Sequence, residues 1–196
     1  MDATEWDERY SKAELEWGAE PNRFLVQEIE GLQPGRALDV AAGEGRNAIW
    51  LAGLGWNVTA VDFSRVAIDK ARGLAAKRSI EVRWITADVV DYIPPADSFD
   101  LVIVFYLHLA PPDMKEVLSK AAVALKRRGT LLVVGHDRAN LTDGMGGPQD
   151  PTVLLDAEEV ASELETLVIE KAVQILRPVE GAAGKAIDTL VRARRP

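Results

Sequence analysis

The sequence predicts an α/β fold, with a mostly parallel seven-stranded sheet that carries helices on both faces and ends in an antiparallel hairpin. Two observations predict this class. Short apolar runs alternate with segments of helical periodicity along most of the chain, which is typical of parallel strands joined by helices. In the last third, two apolar runs are joined by a short glycine-containing turn, which favours a hairpin over another crossover. The predicted arrangement is therefore Rossmann-like and doubly wound.

The first half of the chain contains three predicted strands with helices between them. A helical pattern follows Pro21 and ends at Pro34-Gly35, where proline and glycine stop helices. Ser64 is placed to cap a later helix over residues 66–78. The predicted strands are Arg36 to Val40, Trp56 to Asp62 and Ile80 to Thr86, and a glycine turn and a helix through Leu54 join the first two.

The second half begins with FDLVIVFYL, residues 99–107, a nearly unbroken apolar run of the kind that a strand buried on both faces needs. The remaining predicted elements are a helix from Pro111 to Lys126, a strand over 129–135, a helix over 156–165 and a hairpin of strands 167–179 and 186–194. Between them, residues 136–151 form a long loop of turn-forming residues. A loop of this length in a compact domain is a candidate lid.

The chain length of 196 residues fits one domain, which we assign to residues 21–196 after an N-terminal extension or lid of residues 1–20. No apolar run approaches the roughly 18 residues of a membrane helix. The acidic, polar start lacks the pattern of a secretory signal, so we expect a cytoplasmic protein. We expect the protein to be a monomer or weak homodimer. The absence of cysteine excludes disulfides, thiolate metal sites and cysteine nucleophiles, and we expect no metal.

The formal net charge of −8 argues against a nucleic-acid partner. Binding a polyanion favours a basic face that displaces counterions. The basic cluster VRARRP at the end of the chain is best explained as a solvated terminal strand. A small molecule is therefore the expected partner.

The stretch ALDVAAGEGRNAIWLA, residues 37–52, fits two kinds of cofactor turn. GEGRNA has the G-x-G-x-x-G/A spacing of a dinucleotide-binding turn, and a helix start after a strand offers free N–H groups to an anionic ligand. The same residues also follow the pattern Asp39-x-Ala41-x-Gly43-x-Gly45. A carboxylate at Asp39 repels a pyrophosphate but attracts the ammonium and sulfonium of S-adenosylmethionine. A charge-assisted hydrogen bond contributes roughly 1.5–3 kcal/mol. An attractive interaction with the Asp39 carboxylate therefore favours S-adenosylmethionine over a dinucleotide.

This stretch resembles the first motif, hhD-x-G-x-G-x-G, of the class I S-adenosylmethionine-dependent methyltransferases, and the likeness covers about Pro21 to Pro196. Ala41 replaces the first glycine, a change of little bulk that we expect to be tolerated. The GRNA piece and the chain length are similar to the small tellurite-resistance and thiopurine-type branch, which acts on small molecules. The resemblance implies S-adenosylmethionine as cofactor and S-adenosylhomocysteine as product.

The resemblance also implies which residues contact the cofactor. An acid at Asp62 accepts both ribose hydroxyls, a role that it could fill for either nucleoside, and Phe63 lies against the adenine. Asp88 matches the position that hydrogen-bonds the adenine amino group, with the backbone N–H of Val89 beside it. The other implied cofactor positions are Asp39, Ala41, Gly43, Gly45, Arg46, Asn47 and Phe105.

The catalytic candidates are His108 and His136, which follow the fourth and fifth predicted strands and so lie on the ligand side of the sheet. Imidazole titrates near neutral pH and can act as a general base or hydrogen-bond partner for an alcohol or N-hydroxyl. Tyr106 is expected to line the same mouth, and Asp137 is a candidate to orient His136.

Two further stretches bear on the acceptor. Enzymes that methylate the exocyclic amines of bases carry an Asn/Asp-Pro-Pro-aromatic motif after the fourth strand. Here Ala110 precedes Pro111-Pro112 and Asp113 follows them, so the prolines are better explained as the first turn of a helix. The N-terminal aromatic residues are predicted to bind substrate or pack as a lid; they are Trp6, Tyr10 and Trp17.

The predicted function is transfer of the methyl group of S-adenosylmethionine to sulfur, oxygen or nitrogen of a small molecule. Two alternatives remain open from the sequence. One is a non-catalytic S-adenosylmethionine-binding regulator, and the other is an NAD-dependent oxidoreductase.

Overall fold

A computed structural model describes residues 3–12, 14–179, 181 and 183–196. In these residues one sheet has the strand order β3-β2-β1-β4-β5-β7-β6. Its strands are β1 Arg36–Val40, β2 Asn57–Asp62, β3 Arg83–Thr86, β4 Phe99–Phe105, β5 Leu125–His136, β6 Val168–Pro178 and β7 Lys185–Arg194. The first five pair in parallel, and β7 runs antiparallel to both β5 and β6. The predicted fold class is confirmed.

The helices are α1 Ala3–Tyr10, α2 Arg23–Glu28, α3 Arg46–Gly53, α4 Arg65–Lys77, α5 Pro111–Ala124, α6 Asn140–Asp143 and α7 Ala157–Ser162, with a 3₁₀ turn at Pro151–Val153. The prolines begin α5 as predicted, and Ser64 caps α4 by accepting from the Ala67 N–H. The predicted boundary between α5 and β5 is wrong: β5 begins at Leu125, which pairs with Phe99 before the register shifts. Leu125 and Lys126, predicted as the end of the helix, and residues 127–128, predicted to lie between the two elements, are therefore part of the strand.

The core consists of two apolar layers, one on each face of the sheet. Every second residue of the central strands, such as Leu38 and Val102, packs against α5 and α7. Their neighbours Ala37 and Leu101 pack against α2 and α3 on the other face. This alternation follows from the two-residue period of a strand. It directs Asp39 to the face covered by α3.

Functional groups gather at one edge of the sheet because parallel strands end there together. The antiparallel β7 contributes its beginning to the same edge. The register places Asp188 of β7 opposite His136 at the end of β5. A residue from late in the sequence is thus brought to the ends of the early strands.

Two non-glycine residues at this edge have left-handed backbone conformations. Ala41, with φ of 59°, follows β1, and Tyr106, with φ of 54°, follows the neighbouring β4. Such residues store strain that the surrounding fold must hold, and they cluster at functional sites. The expectation for Ala41 considered only bulk, whereas the backbone angle is what distinguishes alanine from glycine here.

We expect Ala41→Gly to raise the free energy of unfolding by about 0.5–1 kcal/mol. The left-handed strain of roughly 1–2 kcal/mol is relieved, and glycine chain entropy of about 0.5–1 kcal/mol offsets part of the gain. For a chain of this size the melting temperature then rises by roughly 2 °C, measured by calorimetry. Ala42→Gly is the matched control, because Ala42 has no positive φ. This substitution should lower the melting temperature. A fall in melting temperature for Ala41→Gly contradicts the strain.

Candidate functional site

The glycine turn between β1 and α3 needs glycine for steric reasons. Gly45 caps α3 in the left-handed conformation, with φ of 78°. A β-carbon there would lie 2.5 Å from the indole ring of Trp84. Gly43 is also left-handed, and its N–H donates to Asp62 Oδ2 at 2.7 Å. The turn is therefore held closely against the end of β2.

Asp62 is buried at the end of β2 and accepts backbone N–H groups with both oxygens. Oδ2 accepts from Gly43 and Oδ1 from Ser64 at 2.9 Å. Burial raises the pKa of Asp62, while these two N–H groups oppose the rise. Each carboxylate oxygen has a second acceptor position, so hydroxyl groups of a ligand can still donate to it.

Asp39 is the most unusual acid of the site. It is 1% exposed, and its Oδ2 has no hydrogen-bond partner. Burial, together with the nearby charge of Asp62, raises the pKa of Asp39 to about 8, although Arg46 and the Ala48 N–H favour the charged form. A cationic group beside Oδ2 would supply the missing partner. The residues at this turn therefore fit the ammonium of S-adenosylmethionine.

Arg46 and Asn47 begin α3 and connect the turn to the rest of the site. Arg46 donates from Nη1 to the Trp17 carbonyl oxygen at 3.0 Å, and its charge acts on both Asp39 and Tyr106. Buried Asn47 accepts the Asn22 N–H at 2.8 Å. Arg46 thus connects the start of α3 to Trp17 of the N-terminal extension, whereas Asn47 anchors the start of α2.

Four other predicted cofactor residues lie at or after strand ends. Phe63 is half-buried directly after β2. Asp88 is exposed and forms a turn in which its Oδ1 accepts the Val90 N–H at 2.9 Å, while Val89 is buried in the core. Phe105 packs in the apolar layer beside α2 and α3. Their contacts with a cofactor stay predictions.

The N-terminal extension packs on the glycine turn. Asp7 accepts from the Ser64 hydroxyl at the start of α4. The Tyr10 ring stacks on Trp6 with centroids 5.2 Å apart, and its hydroxyl lies 3.0 Å from where a β-carbon of Gly43 would be. The Arg9 guanidinium lies 5.1 Å from both the Trp6 and the Trp17 rings. The three predicted aromatic residues therefore cluster on the cofactor side of the site, and a role in substrate binding stays a prediction.

Tyr106, His108 and His136 form a ring cluster at the ends of β4 and β5, as predicted. The two imidazoles stack with centroids 5.5 Å apart and planes inclined by 17°. The Tyr106 ring meets His136 edge-on at 5.2 Å. The sequence brings these residues together because β4 and β5 are adjacent in the sheet.

His108 is held as a neutral imidazole. Its Nδ1 lies 3.0 Å from the carbonyl oxygen of Val153, so this nitrogen carries the proton and donates. Burial, together with the neighbouring His136, lowers the pKa of His108 to about 4. Its Nε2 is buried and has no partner. An acceptor nitrogen is therefore available to a ligand that carries a proton.

Asp188 and Arg177 join the ring cluster from β7 and β6, and the sequence interpretation missed both. Asp188 is fully buried; its Oδ2 accepts from Arg177 at 2.7 Å and from the Tyr106 hydroxyl at 2.9 Å. Its Oδ1 lies 3.2 Å from His136 Nδ1, within hydrogen-bond distance but without the alignment of a hydrogen bond. Burial alone would raise the pKa of Asp188, but His136, Arg177 and Tyr106 hold it below its usual value.

The expectation that Asp137 orients His136 is wrong. Asp137 Oδ2 accepts from the Thr189 hydroxyl at 2.6 Å, and Oδ1 accepts from Gln174 at 2.8 Å and from the Ala139 N–H at 2.9 Å. Alternation along the strand turns neighbouring side chains to opposite faces, so Asp137 points away from the histidine. Asp188 is an acid within an otherwise apolar part of a predicted strand, and this sequence signal could have identified it as the neighbour of His136.

The 136–151 loop covers the His136 ring. Asn140 anchors the loop by accepting the Ile187 N–H at 2.7 Å and donating to the Gly146 carbonyl at 2.8 Å. Gly147 follows, and a β-carbon there would lie 2.7 Å from the His136 ring. The loop is thus fixed where a lid was predicted, and movement of that lid stays a prediction.

Two kinds of feature are absent from the described part of the chain. No group of three or more His, Cys, Asp or Glu side chains there is placed to hold a metal ion. No helix there has both the length and the apolar character that a membrane span requires.

Comparison with known proteins gives a family match over about half of the chain. Residues 37–129 match the sequence model of a family described as a methyltransferase domain. The 2-heptyl-1-hydroxyquinolin-4(1H)-one methyltransferase of Mycobacteroides abscessus is 27% identical over 152 residues, which cover 76% of this chain and 66% of that relative. The next two curated relatives are matched over 26% and 40% of their lengths. The chain therefore spans less than two thirds of each of these relatives.

Solved structures match over nearly the whole chain. N-methyltransferase NodS from Bradyrhizobium japonicum, in complex with S-adenosylhomocysteine, has a TM-score of 0.77 at 20% identity and covers 100% of both chains. A structure described by the conversion of a disulfide bond into a thioacetal group during echinomycin biosynthesis has a TM-score of 0.78 at 24% identity, over 98% of this chain and 92% of that one. At these identities the likeness shows the fold.

We expect Asp39→Asn to stabilise the ligand-free protein, and more strongly as pH rises. The pKa of Asp39 is about 8 in the folded protein and about 3.9 in an unfolded chain. Between these values the folded state holds a proton that the unfolded state has lost, so the stability contributed by this group falls as pH rises from 4 to 8. Asparagine removes that loss. The measurement is the melting temperature of both proteins at pH 5 and pH 8.5.

Asp100→Asn is the matched control for this measurement. Asp100 Oδ2 accepts from Lys126 at 2.8 Å and from the Arg36 N–H at 2.8 Å, which hold the pKa of Asp100 below its usual value against the effect of burial. Its substitution should therefore destabilise the protein at pH 8.5. Equal effects of Asp39→Asn at the two pH values would contradict the buried, protonated state of Asp39.

Proposed function

We propose that this protein transfers the methyl group of S-adenosylmethionine to a heteroatom (sulfur, oxygen or nitrogen) of a small molecule. Residues 37–129 match the methyltransferase-domain model, and the whole chain has the fold of a solved methyltransferase that binds S-adenosylhomocysteine. The family predicted from the glycine-turn motif is thereby confirmed. The acceptor class and the atom methylated are the proposal.

The observation that carries the proposal is the buried, partnerless oxygen of Asp39 at the glycine turn. A buried acceptor without a partner is costly and requires an explanation. The ammonium of S-adenosylmethionine provides a charge-assisted partner, which a dinucleotide pyrophosphate at the same place cannot.

The other residues of the turn fit the rest of this cofactor. Asp62 has acceptor positions for ribose hydroxyls, and Arg46 supplies a positive charge near the turn for the cofactor carboxylate. The bound cofactor supplies a methyl carbon on a sulfonium, which is already a good leaving group. The protein then has to align the acceptor with that carbon and exclude water. The N-terminal extension and the 136–151 loop are the proposed covers.

Three features support a small-molecule acceptor. The net charge of −8 is unfavourable for polynucleotides. The ring cluster of Tyr106, His108 and His136 lies at the end of β4, next to the strand that carries Asp39. The M. abscessus relative is named for methylation of a small hydroxyquinolinone, and NodS is named an N-methyltransferase. A cytoplasmic location and a monomeric or weakly dimeric state accompany this proposal as expectations.

We expect calorimetry to show binding of S-adenosylmethionine and S-adenosylhomocysteine, and no binding of NAD. Asp62→Ala should abolish measurable binding, because the substitution removes the proposed ribose acceptor and frees the Gly43 N–H. His108→Ala and His136→Ala should retain binding, since the histidines are assigned to the acceptor side. Loss of binding in a histidine variant, or binding of NAD instead, contradicts this division of roles.

We also expect cofactor binding at pH 7 to release a proton from Asp39. The pKa of Asp39 near 8 means that most of the ligand-free protein is protonated there, and an ammonium beside Oδ2 favours the carboxylate. Calorimetry in two buffers of different ionisation enthalpy measures the proton count. The Asp39→Asn protein should release correspondingly fewer protons, and an unchanged count in this variant would refute the role of Asp39.

A screen of acceptors for release of S-adenosylhomocysteine tests the transfer itself. The set should contain thiols, phenols, hydroxyquinolines, amines and metalloid oxyanions, and we expect turnover with at least one class. Cofactor binding without product from any acceptor would instead favour a non-catalytic regulator.

A further inference from the structure

We propose that Asp188 is a positioning residue that holds His136 with its proton on Nδ1, so that Nε2 is the base for an acceptor with a hydroxyl group. The choice of acceptor rests on the proposed function. The position of the proton on His136 does not rest on that function, because it follows from contacts within this chain.

The first step is the contact between β5 and β7. His136 Nδ1 lies 3.2 Å from Asp188 Oδ1, and the two residues are opposite each other in the sheet. A carboxylate oxygen only accepts, so the facing nitrogen is favoured to carry the proton. The other nitrogen, Nε2, then has a free lone pair.

The second step is that Asp188 is held in place and kept charged. Arg177 donates to Oδ2 at 2.7 Å, and the Tyr106 hydroxyl donates to the same oxygen at 2.9 Å. These contacts occupy Oδ2 and leave Oδ1 directed at His136. The groups around the imidazole are thus Tyr106 and His108 after β4, Arg177 on β6, Asp188 on β7 and the Gly147 backbone of the loop.

The third step concerns His108, which offers a second acceptor nitrogen beside the first. Its Nδ1 donates to Val153, and its Nε2 is buried without a partner. The ring stacks on His136 at 5.5 Å. With His136 in the proposed tautomer, the two rings present two Nε2 atoms to a ligand that donates a proton.

The chemistry of methyl transfer selects a hydroxyl among the possible donors. A thiolate or an ionised phenol attacks without a base, and a neutral amine loses its proton only after the attack. A hydroxyl oxygen gains nucleophilicity when a base removes its proton during the attack. In the proposed step, the oxygen forms a bond to the methyl carbon as the carbon–sulfur bond breaks and its electron pair goes to sulfur. His136 Nε2 takes the hydroxyl proton.

This step balances charge within the site. The sulfonium loses its positive charge, and the imidazolium of His136 gains one beside Asp188. The carboxylate stabilises this new charge and therefore favours the transition state over the ground state. Neither an oxidant nor a metal ion is needed.

Nitrogen-15 spectroscopy of labelled histidine tests the assignment without a substrate. The chain has two histidines, so His136→Gln assigns both signals. The wild-type protein should show His136 protonated on Nδ1 and unprotonated on Nε2. In Asp188→Asn, Arg177 and Tyr106 keep the amide oxygen, so the amide NH₂ faces His136 and the proton moves to Nε2. His108, bonded to Val153, should keep its tautomer.

Asp137→Asn is the matched control, because Asp137 is a buried acid next to His136 in sequence that bonds to other residues. It should leave the His136 signals unchanged. A wild-type spectrum with the proton on His136 Nε2 overturns the proposal even if Asp188→Asn does not fold. An unchanged tautomer in a folded Asp188→Asn protein overturns it as well.

Kinetics then tests the role in transfer. With a hydroxyl acceptor, Asp188→Asn should lower kcat by about 10²-fold or more while KM changes little. With a thiol assayed above its own pKa, the rate should be retained. An equal loss with both acceptors indicates a structural role and overturns the proposal. If the wild-type protein methylates no acceptor at all, the proposed function fails while the tautomer result stands on its own.

Discussion

The burial of Asp39 with one unpaired oxygen is the constraint on which the rest of the site depends. Strand alternation directs this acid beneath α3, where it is 1% exposed, and the fold gives Oδ2 no partner. An isolated buried charge is costly, and the acid responds with a raised pKa. The unpaired acid therefore lowers the stability of the ligand-free protein. A cation at the turn would recover that cost as binding free energy, which couples the local instability to ligand recognition.

The sheet topology places the acceptor side next to this turn. Strands β1 and β4 are neighbours, and each is followed by a residue with left-handed backbone, Ala41 and Tyr106. Arg46, at the start of α3, adds a positive charge that favours the charged form of Asp39. The antiparallel β7 then adds Asp188 to His136. A cationic ligand group, an aligned acceptor and a base can therefore share one edge of the sheet.

Much of this arrangement was predictable from sequence. Apolar runs and helix stops indicated the strands, and their parallel order placed Asp39, Asp62, His108 and His136 at one edge. Contacts between distant segments were not predictable. Neighbouring position along the chain suggested Asp137 for His136, whereas the pairing of β7 with β5 selects Asp188, 52 residues later. The left-handed angle of Ala41 was also hidden, because a motif shows which residue is present but not its backbone conformation. Helix α1 was missed because aromatic and charged residues alternate there, and its order comes from packing on the glycine turn.

A crystal structure of the protein with S-adenosylhomocysteine tests the central claim most directly. The account predicts the amino group of the ligand within hydrogen-bond distance of Asp39 Oδ2 and its ribose hydroxyls at Asp62. A ligand bound elsewhere, or one bound at the turn with Asp39 Oδ2 still unpaired, would contradict it.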